Sequence, residues 1–284
     1  MTLLPDLQAW LKSQRLHDSV GLTPITGGDV SEAFCLTDSK GAKYFIKQKF
    51  SAPSRFFESE AQGLSYLNVS CNLKTPNVLA YGNQFIVMDY IASAPQGKRF
   101  WESLGEDLAL MHSCTREQFG FVNNNYCGTT PQINQFCDDG YEFFSHQRLR
   151  YQADLALSAG LLLPADYQGI IELAQRLYQW IPDQPPSLLH GDLWSGNVLV
   201  SEQGGPVFID PAVYYGWPET DLAMTRLFGG FPPRFYEAYA ACIDLEPSWE
   251  DRIPIYNLYH LLNHLNLFGE SYYASVREVL DRFV

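Results

Sequence analysis

Positive charge is scarce in this chain. Nineteen Lys and Arg stand against 32 Asp and Glu, which leaves a formal net charge of −13. A nucleic-acid backbone requires a basic stripe, so no such partner is expected. Paired cysteines are missing as well: Cys35, Cys71, Cys114, Cys127, Cys137 and Cys242 are scattered, with no CxxC among them. This spacing argues against zinc and disulfide frameworks and reads as reduced thiols in a cytoplasmic protein. There is no long uncharged apolar run and no signal-like N-terminal pattern, so neither membrane spanning nor export is expected. Repeats and low-complexity tracts are also absent. What the chain does have is apolar material: 284 residues, 46% hydrophobic and 14% aromatic, suffice for a large core in one domain or two lobes.

The periodicity changes along the chain. Leu3 to Gln14 has the spacing of a short helix. "VGLTPIT", "GGDVSEAFCLT" and "KYFIKQKF" read as strands divided by Gly and Asp turns. "RFFESEAQGLSYLNV" returns to helical period, with Phe57, Ala61, Leu64 and Leu67 on one face, before the strand-like "NVLAYG" and "QFIVMDYI". A sheet of about five strands with one inserted helix is therefore expected over 1–90. From Trp101 the apolar stripes are mainly helical, interrupted at Ser187 to Asp210 by "SLLH", "NVLV" and "PVFID", which read as short strands. The fold class is accordingly α+β, with a boundary near Asp89 to Ala92 and a mainly helical unit over 91–284.

"LLHGDLWSGNVLV" sets polar residues between two strand-like runs. Its Asp192-to-Asn197 interval matches the H-R-D-x-x-x-x-N catalytic loop of protein kinases, where the carboxylate receives a hydroxyl proton and the amide oxygen reaches a metal. Asp210 ends a neighbouring strand and offers a second oxygen ligand of the kind Mg²⁺ takes. Lys47 lies mid-strand on the face of Phe45, where a buried ammonium requires an anionic partner. Glu58 and Glu60 of the following helix are both candidates, and phosphates would complete the set. Gly27-Gly28 could present N–H groups to phosphates from a turn. Each feature alone is weak, since a lone HGD is more often an ordinary loop. Their order (Gly turn, strand Lys, helix Glu, HGDxxxxN, strand-end Asp) is that of a phosphoryl-transfer enzyme.

The chain resembles the fructosamine (ketosamine) 3-kinase family, relatives of the aminoglycoside phosphotransferases within the protein-kinase-like fold. The resemblance extends over nearly the whole chain, through "GGDVSEAF", "YFIK", "FESEAQGL", "GEDLALMH", "FGFVNNNYCGTTPQIN", "FFSHQRL", "LLHGDLWSGN", "FIDPAVYYG" and "ETDLAMTRLFGGFP". It implies a small β-rich N-lobe and a larger helical C-lobe with ATP in the cleft. It further implies that Lys47 contacts the α- and β-phosphates with Glu60 paired to it, and that Asp192 is the base. Asn197 and Asp210 would hold Mg²⁺, and the hinge at Met88, Asp89 and Ile91 would face adenine. The implied acceptor is the 3-hydroxyl of a ketosamine, either a small fructosyl- or ribosyl-amine or a glycated lysine. The product sheds its sugar, so the implied role is deglycation and protein repair. Nothing in the sequence requires an oligomer. Trp194, inside the loop, is a candidate substrate contact. Trp217 replaces a residue that is commonly polar in the family and is open to two readings, packing against Tyr214 or Tyr215, or stacking on the sugar. The rivals are a small-molecule kinase of the aminoglycoside or choline type, and a nucleotide-binding module without catalysis. The segment from Asn123 to Asn134 favours ketosamines over the first. The second would be expected to lack one of Lys47, Asp192, Asn197 or Asp210.

Overall fold

Five segments pair into one antiparallel sheet in the computed structural model, which describes residues 3–14, 16, 21–25 and 31–284. They are β1 (Gly21–Ile25), β2 (Glu32–Thr37), β3 (Lys43–Gln48), β4 (Val78–Tyr81) and β5 (Phe85–Asp89), in the spatial order β1-β2-β3-β5-β4. Strands β3 and β4 pair with both edges of β5, helices Pro5–Ser13 and Phe56–Cys71 cover its faces, and Phe85, Ile86, Val87 and Met88 are all buried. That explains a continuous apolar run where an edge strand would alternate. Two helices complete this unit, α1 (Pro5–Ser13) and α2 (Phe56–Cys71). Leu7 and Leu11 of α1 pack on Phe34, Leu36, Ile46, Phe85 and Val87. Each such side chain contributes about 1.5–3 kcal/mol on burial. Gln48 is buried on the same strand and satisfied: its Nε2 donates to Glu32 Oε2 at 2.8 Å, and its Oε1 accepts from the Leu4 N–H at 3.1 Å. The period of two turns Phe45 and Lys47 to the other face. There α2 presents its expected face, with Phe57, Ala61, Leu64 and Leu67 all buried.

The chain divides into two compact units, 1–100 with 198–211, and 101–197 with 212–284. The difference from the expected boundary has a backbone cause. Val198–Val200 and Pro206–Phe208 form an antiparallel hairpin, and the Phe208 N–H donates to the Lys74 carbonyl at 2.9 Å. A segment distant in sequence is thereby fastened to the end of α2.

The second unit is mainly helical: Phe100–Ser113 runs into it, followed by Pro164–Gln175, Glu219–Leu227, Pro233–Ala240, Trp249–Phe268 and Tyr273–Phe283. Between the first two, Gly140–Phe144 and Tyr151–Ser158 are joined through a π-helical turn, Ser145–Arg150. Two short ladders complete it, Ser187–Leu189 with Tyr214–Gly216 and Asn125–Cys127 with Thr130–Gln132. Among the described residues, no helix is long and apolar enough to cross a membrane.

Candidate active site

Lys47 stands on β3 opposite Ala33 and Ile86 of the neighbouring strands, so its stem is held in the sheet interior. Its Nζ donates to Glu60 Oε1 at 2.8 Å and also to Asp210 Oδ1. Burial acts to lower the Lys47 pKa, but the carboxylates of Asp210 and Glu60 outweigh it and the ammonium is held well above the ordinary lysine value. Glu60 is pushed up, first by burial and then by Asp210, against the pull of Lys47. Glu58 serves elsewhere, accepting from Arg55 at 2.8 and 3.0 Å on the surface. The choice between the two was present in the spacing: Glu60 lies three residues after Phe57 and four before Leu64, on the buried face of α2.

Asp210 follows the hairpin in a left-handed conformation with φ of 55°, which is uncommon for a residue with a Cβ though least so for Asp and Asn. Its side chain is 39% exposed against 14% for Lys47. The open edge of the cluster is thus a carboxylate.

In the second unit the loop after Ser187–Leu189 carries Asp192 and Asn197. Gly191 has φ of 81°, and a Cβ there would lie 2.0 Å from the Ala212 carbonyl oxygen. The glycine of HGD is therefore required by both backbone conformation and close approach. The Asn197 amide nitrogen donates to the Asp192 carbonyl at 2.8 Å and to Asp192 Oδ2 at 3.2 Å. With its nitrogen engaged by the carboxylate, the amide has its Oδ1 left to ligate a cation. The amide oxygen of Asn197 and the carboxylate of Asp210 are each, taken singly, a hard donor of the kind Mg²⁺ accepts.

Beneath the loop lies a group that the sequence reading assigned no role. Asp221, fully buried on helix Glu219–Leu227, accepts from the N–H groups of His190 at 2.7 Å and Gly191 at 2.9 Å. His112 Nε2 lies 3.3 Å from the same carboxylate, and its Nδ1 lies 2.8 Å from the Tyr239 hydroxyl. Burial acts to raise the Asp221 carboxyl, yet His112, His190 and the Gly191 N–H more than reverse it, and the group is held below its usual range. The only signal in the sequence was an acidic residue inside an otherwise apolar turn, "TDLAM". Its partners lie too far away in the chain for spacing to reveal them.

The Asn123-to-Asn134 segment contributes a second polar network. Gln132 Nε2 donates to Asn125 Oδ1 at 2.8 Å and to the Ala212 carbonyl at 3.0 Å, while Asn125 Nδ2 donates to the Val213 carbonyl at 2.8 Å. Asn134 Oδ1 accepts from Arg148 at 2.7 Å. That guanidinium is wholly buried and lies 4.0 Å from the centre of the Tyr214 ring. In this segment, then, Asn125 and Gln132 hold the backbone at Ala212–Val213.

The remaining expected residues fall as follows. Met88 is buried in β5. The Asp89 N–H donates to the Asn77 carbonyl at 3.0 Å, and Ile91 lies just beyond the strand. Gly27 and Gly28 lie outside the described residues. Trp194 is 37% exposed, folds over Gly196 and meets Phe228 edge-on at 5.8 Å. Trp217 departs from both expectations. It is 2% exposed and enclosed by Phe119, Tyr141, Phe144 and Tyr256, with ring centres 5.3–6.2 Å away. Its indole is core, and a sugar cannot stack on it in this arrangement. The four rings come from three separate segments, Tyr141 and Phe144 sharing the helix Gly140–Phe144.

The fold is that of the protein-kinase-like phosphotransferases. The ADP-bound aminoglycoside phosphotransferase APH(2'')-Ib superposes with a TM-score of 0.62 at 17% identity, covering 98% of this chain and 97% of that one. The match to the fructosamine kinase family model runs over residues 6–284, and the chain belongs to that family. It is 39% identical over 284 residues to a probable ketoamine kinase of Enterococcus faecium, covering 98% of this chain and all of that one. It is 34% identical to the chloroplastic protein-ribulosamine 3-kinase of Oryza sativa subsp. indica, over 98% of this chain and 83% of that one. A Thermobifida fusca crystal structure, of a protein assigned as a fructosamine-3-kinase, has a TM-score of 0.85 at 30% identity and 93% coverage of each chain.

Proposed function

We propose that this protein is an ATP-dependent ketosamine 3-kinase that phosphorylates fructosyl- or ribosyl-amines and so releases the sugar from the amine. The reading of phosphoryl transfer rests on one observation, the pairing of Lys47 with both Glu60 and Asp210. A half-buried cation already held by two carboxylates is positioned to receive phosphate oxygens without moving its stem. Asp192 accepts the proton of the 3-hydroxyl, and the Asn197 amide fixes its carboxylate. Lys47 binds the α- and β-phosphates, with Glu60 as its support. Asn197 and Asp210 supply the oxygens for Mg²⁺, which neutralises phosphate charge when bound. Gly27 and Gly28 cover the phosphates, and the Met88, Asp89 and Ile91 stretch meets adenine. The half-exposed ring of Trp194 is the surface assigned to the sugar. A glycated lysine side chain is an acceptor of the same chemistry, and the surplus of acidic residues favours its cationic secondary amine. The six cysteines are thiols rather than disulfide-bonded, which accords with a cytoplasmic setting.

The test supplies MgATP with fructosyl-lysine, ribosyl-lysine, free sugars and aminoglycosides, following ADP, free amine and the phosphorylated position by NMR. Phosphate on the 3-hydroxyl followed by amine release is the expected result. Asp192→Asn lowers turnover by about 10²–10⁴-fold. Phosphorylation confined to aminoglycosides would overturn the acceptor, and wild-type turnover in Asp192→Asn would remove the base.

A further inference from the structure

Two neighbours of Asp192 take no part in phosphoryl transfer. The Cys127 sulfur, a ring nitrogen of His260 and a carboxylate oxygen of Asp192 all lie within 4.8 Å of one another. They come from three separate elements: the short strand Asn125–Cys127, the loop, and the helix Trp249–Phe268. Cys127 and His260 are buried, while Asp192 is half-buried. His260 Nδ1 is buried with no hydrogen-bond partner, a condition that buried polar atoms ordinarily avoid. Burial, aided by neighbouring His264, depresses the His260 pKa to about 3, so its imidazole is neutral. Neutral imidazole is the form that ligates metals.

Thiolate, imidazole and carboxylate together are the donor set of Zn²⁺ and its soft neighbours, and a thiolate has no place around Mg²⁺. Bonds of about 2.0–2.3 Å put tetrahedral donors about 3.3–3.7 Å apart, so closure requires shifts of about 1 Å. We propose that Cys127, Asp192 and His260 form a binding site for a thiophilic divalent cation of the zinc class, and that its occupancy switches the kinase off by engaging Asp192. Binding replaces the Cys127 S–H bond with a sulfur–metal bond and releases that proton to solvent. His260 and Asp192 each donate a lone pair, water takes the fourth position, and no electrons are transferred. The inhibitory half rests on Asp192 being the base; the binding half stands independently of it.

Co²⁺ titration of the full chain without nucleotide reads the site directly, through the thiolate-to-cobalt absorption band. One equivalent is expected to produce the band. Cys127→Ser is expected to abolish it, and His260→Gln to weaken binding by at least about 10-fold. Near-ultraviolet circular dichroism of both variants establishes that they are folded. In the second arm, Zn²⁺ is added at fixed MgATP and then withdrawn with a zinc-selective chelator. Reversible inhibition is expected, with the inhibition constant raised at least about 100-fold in Cys127→Ser relative to that variant's own activity. A missing band, or one undiminished in folded Cys127→Ser, overturns the site. A band that depends on Cys127 without inhibition overturns the switch. A band in a protein that phosphorylates nothing would upset the kinase reading and leave the metal site standing.

Discussion

At Lys47 a half-buried cation is met by the side chains of Glu60 and Asp210, whereas at Asp221 a buried carboxylate is met by two backbone N–H groups and by His112. The first cluster has one partly exposed member and one, Glu60, pushed up by burial, so its charges are incompletely balanced. The second is sealed, and its carboxyl is held down. Side-chain partners can exchange a contact for an incoming phosphate or metal, but backbone partners cannot leave without the loop losing its shape. In the proposed reading the first cluster receives the ligand, while the second holds the backbone at His190 and Gly191.

The contrast is most exposed at Asp221. Asp221→Ala orphans two buried N–H groups and unpairs His112, so a loss of about 3–5 kcal/mol is expected in denaturant unfolding. Asp221→Asn sharpens the point through pH. A carboxyl depressed in the folded state gives stability that is present above its unfolded pKa of about 3.9 and is lost as pH falls through the folded value. The deficit of Asp221→Asn should therefore be full at neutral pH and shrink under acid. A deficit independent of pH would break the comparison.

At the other cluster, Lys47→Met is expected to lower kcat/KM for MgATP by about 10²–10³-fold, the range for losing one electrostatic contact to developing charge. Stability should change by less than about 2 kcal/mol, because Glu60 can take up a proton once its cation is gone. A large stability loss with intact MgATP kinetics would reverse the roles assigned to the two clusters.

Gly191→Ala tests the loop directly. The added methyl meets the Ala212 carbonyl in a backbone conformation unfavourable to alanine, and about 1–3 kcal/mol should be lost. Glu60→Gln is the mildest change, since it neutralises the member whose charge is least compensated. Stability within about 1 kcal/mol of wild type is expected, with MgATP turnover reduced by about 10-fold as Lys47 loses one anchor. Thermal unfolding and steady-state kinetics measure both variants.

What could be read from the sequence followed from local rules. β-branched and aromatic runs bracketed by turn residues located all five strands of the sheet, and period 3.6 located the buried face of α2. The HGDxxxxN loop was legible as a unit because its closure is local: Gly191 takes a positive φ and the Asn197 amide reaches back five residues to Asp192. Ser187–Leu189, Val198–Val200 and Pro206–Phe208 were read as short strands, whereas Glu219–Leu227, Pro233–Ala240 and the strands Asn125–Cys127, Thr130–Gln132 and Tyr214–Gly216 were not expected. Trp217 was misread because Phe119, Tyr141, Phe144 and Tyr256 converge on it from distant segments. Asp221 escaped for the same reason: its loop partners lie 30 and 31 residues away and His112 lies 109 away.

Those separations set an order of events during synthesis. Residues 187–197 leave the ribosome before Asp221 and well before Tyr239, yet the loop takes its bonds from the first and His112 from the second. At the usual 5–20 residues per second, roughly 2–10 seconds pass between the emergence of Asp192 and that of Tyr239. For the first part of that interval the nascent chain carries a complete HGDxxxxN segment without the Asp221 carboxylate that holds its backbone. A chain arrested before residue 221 can finish its five-stranded sheet while its HGDxxxxN loop still lacks its anchor.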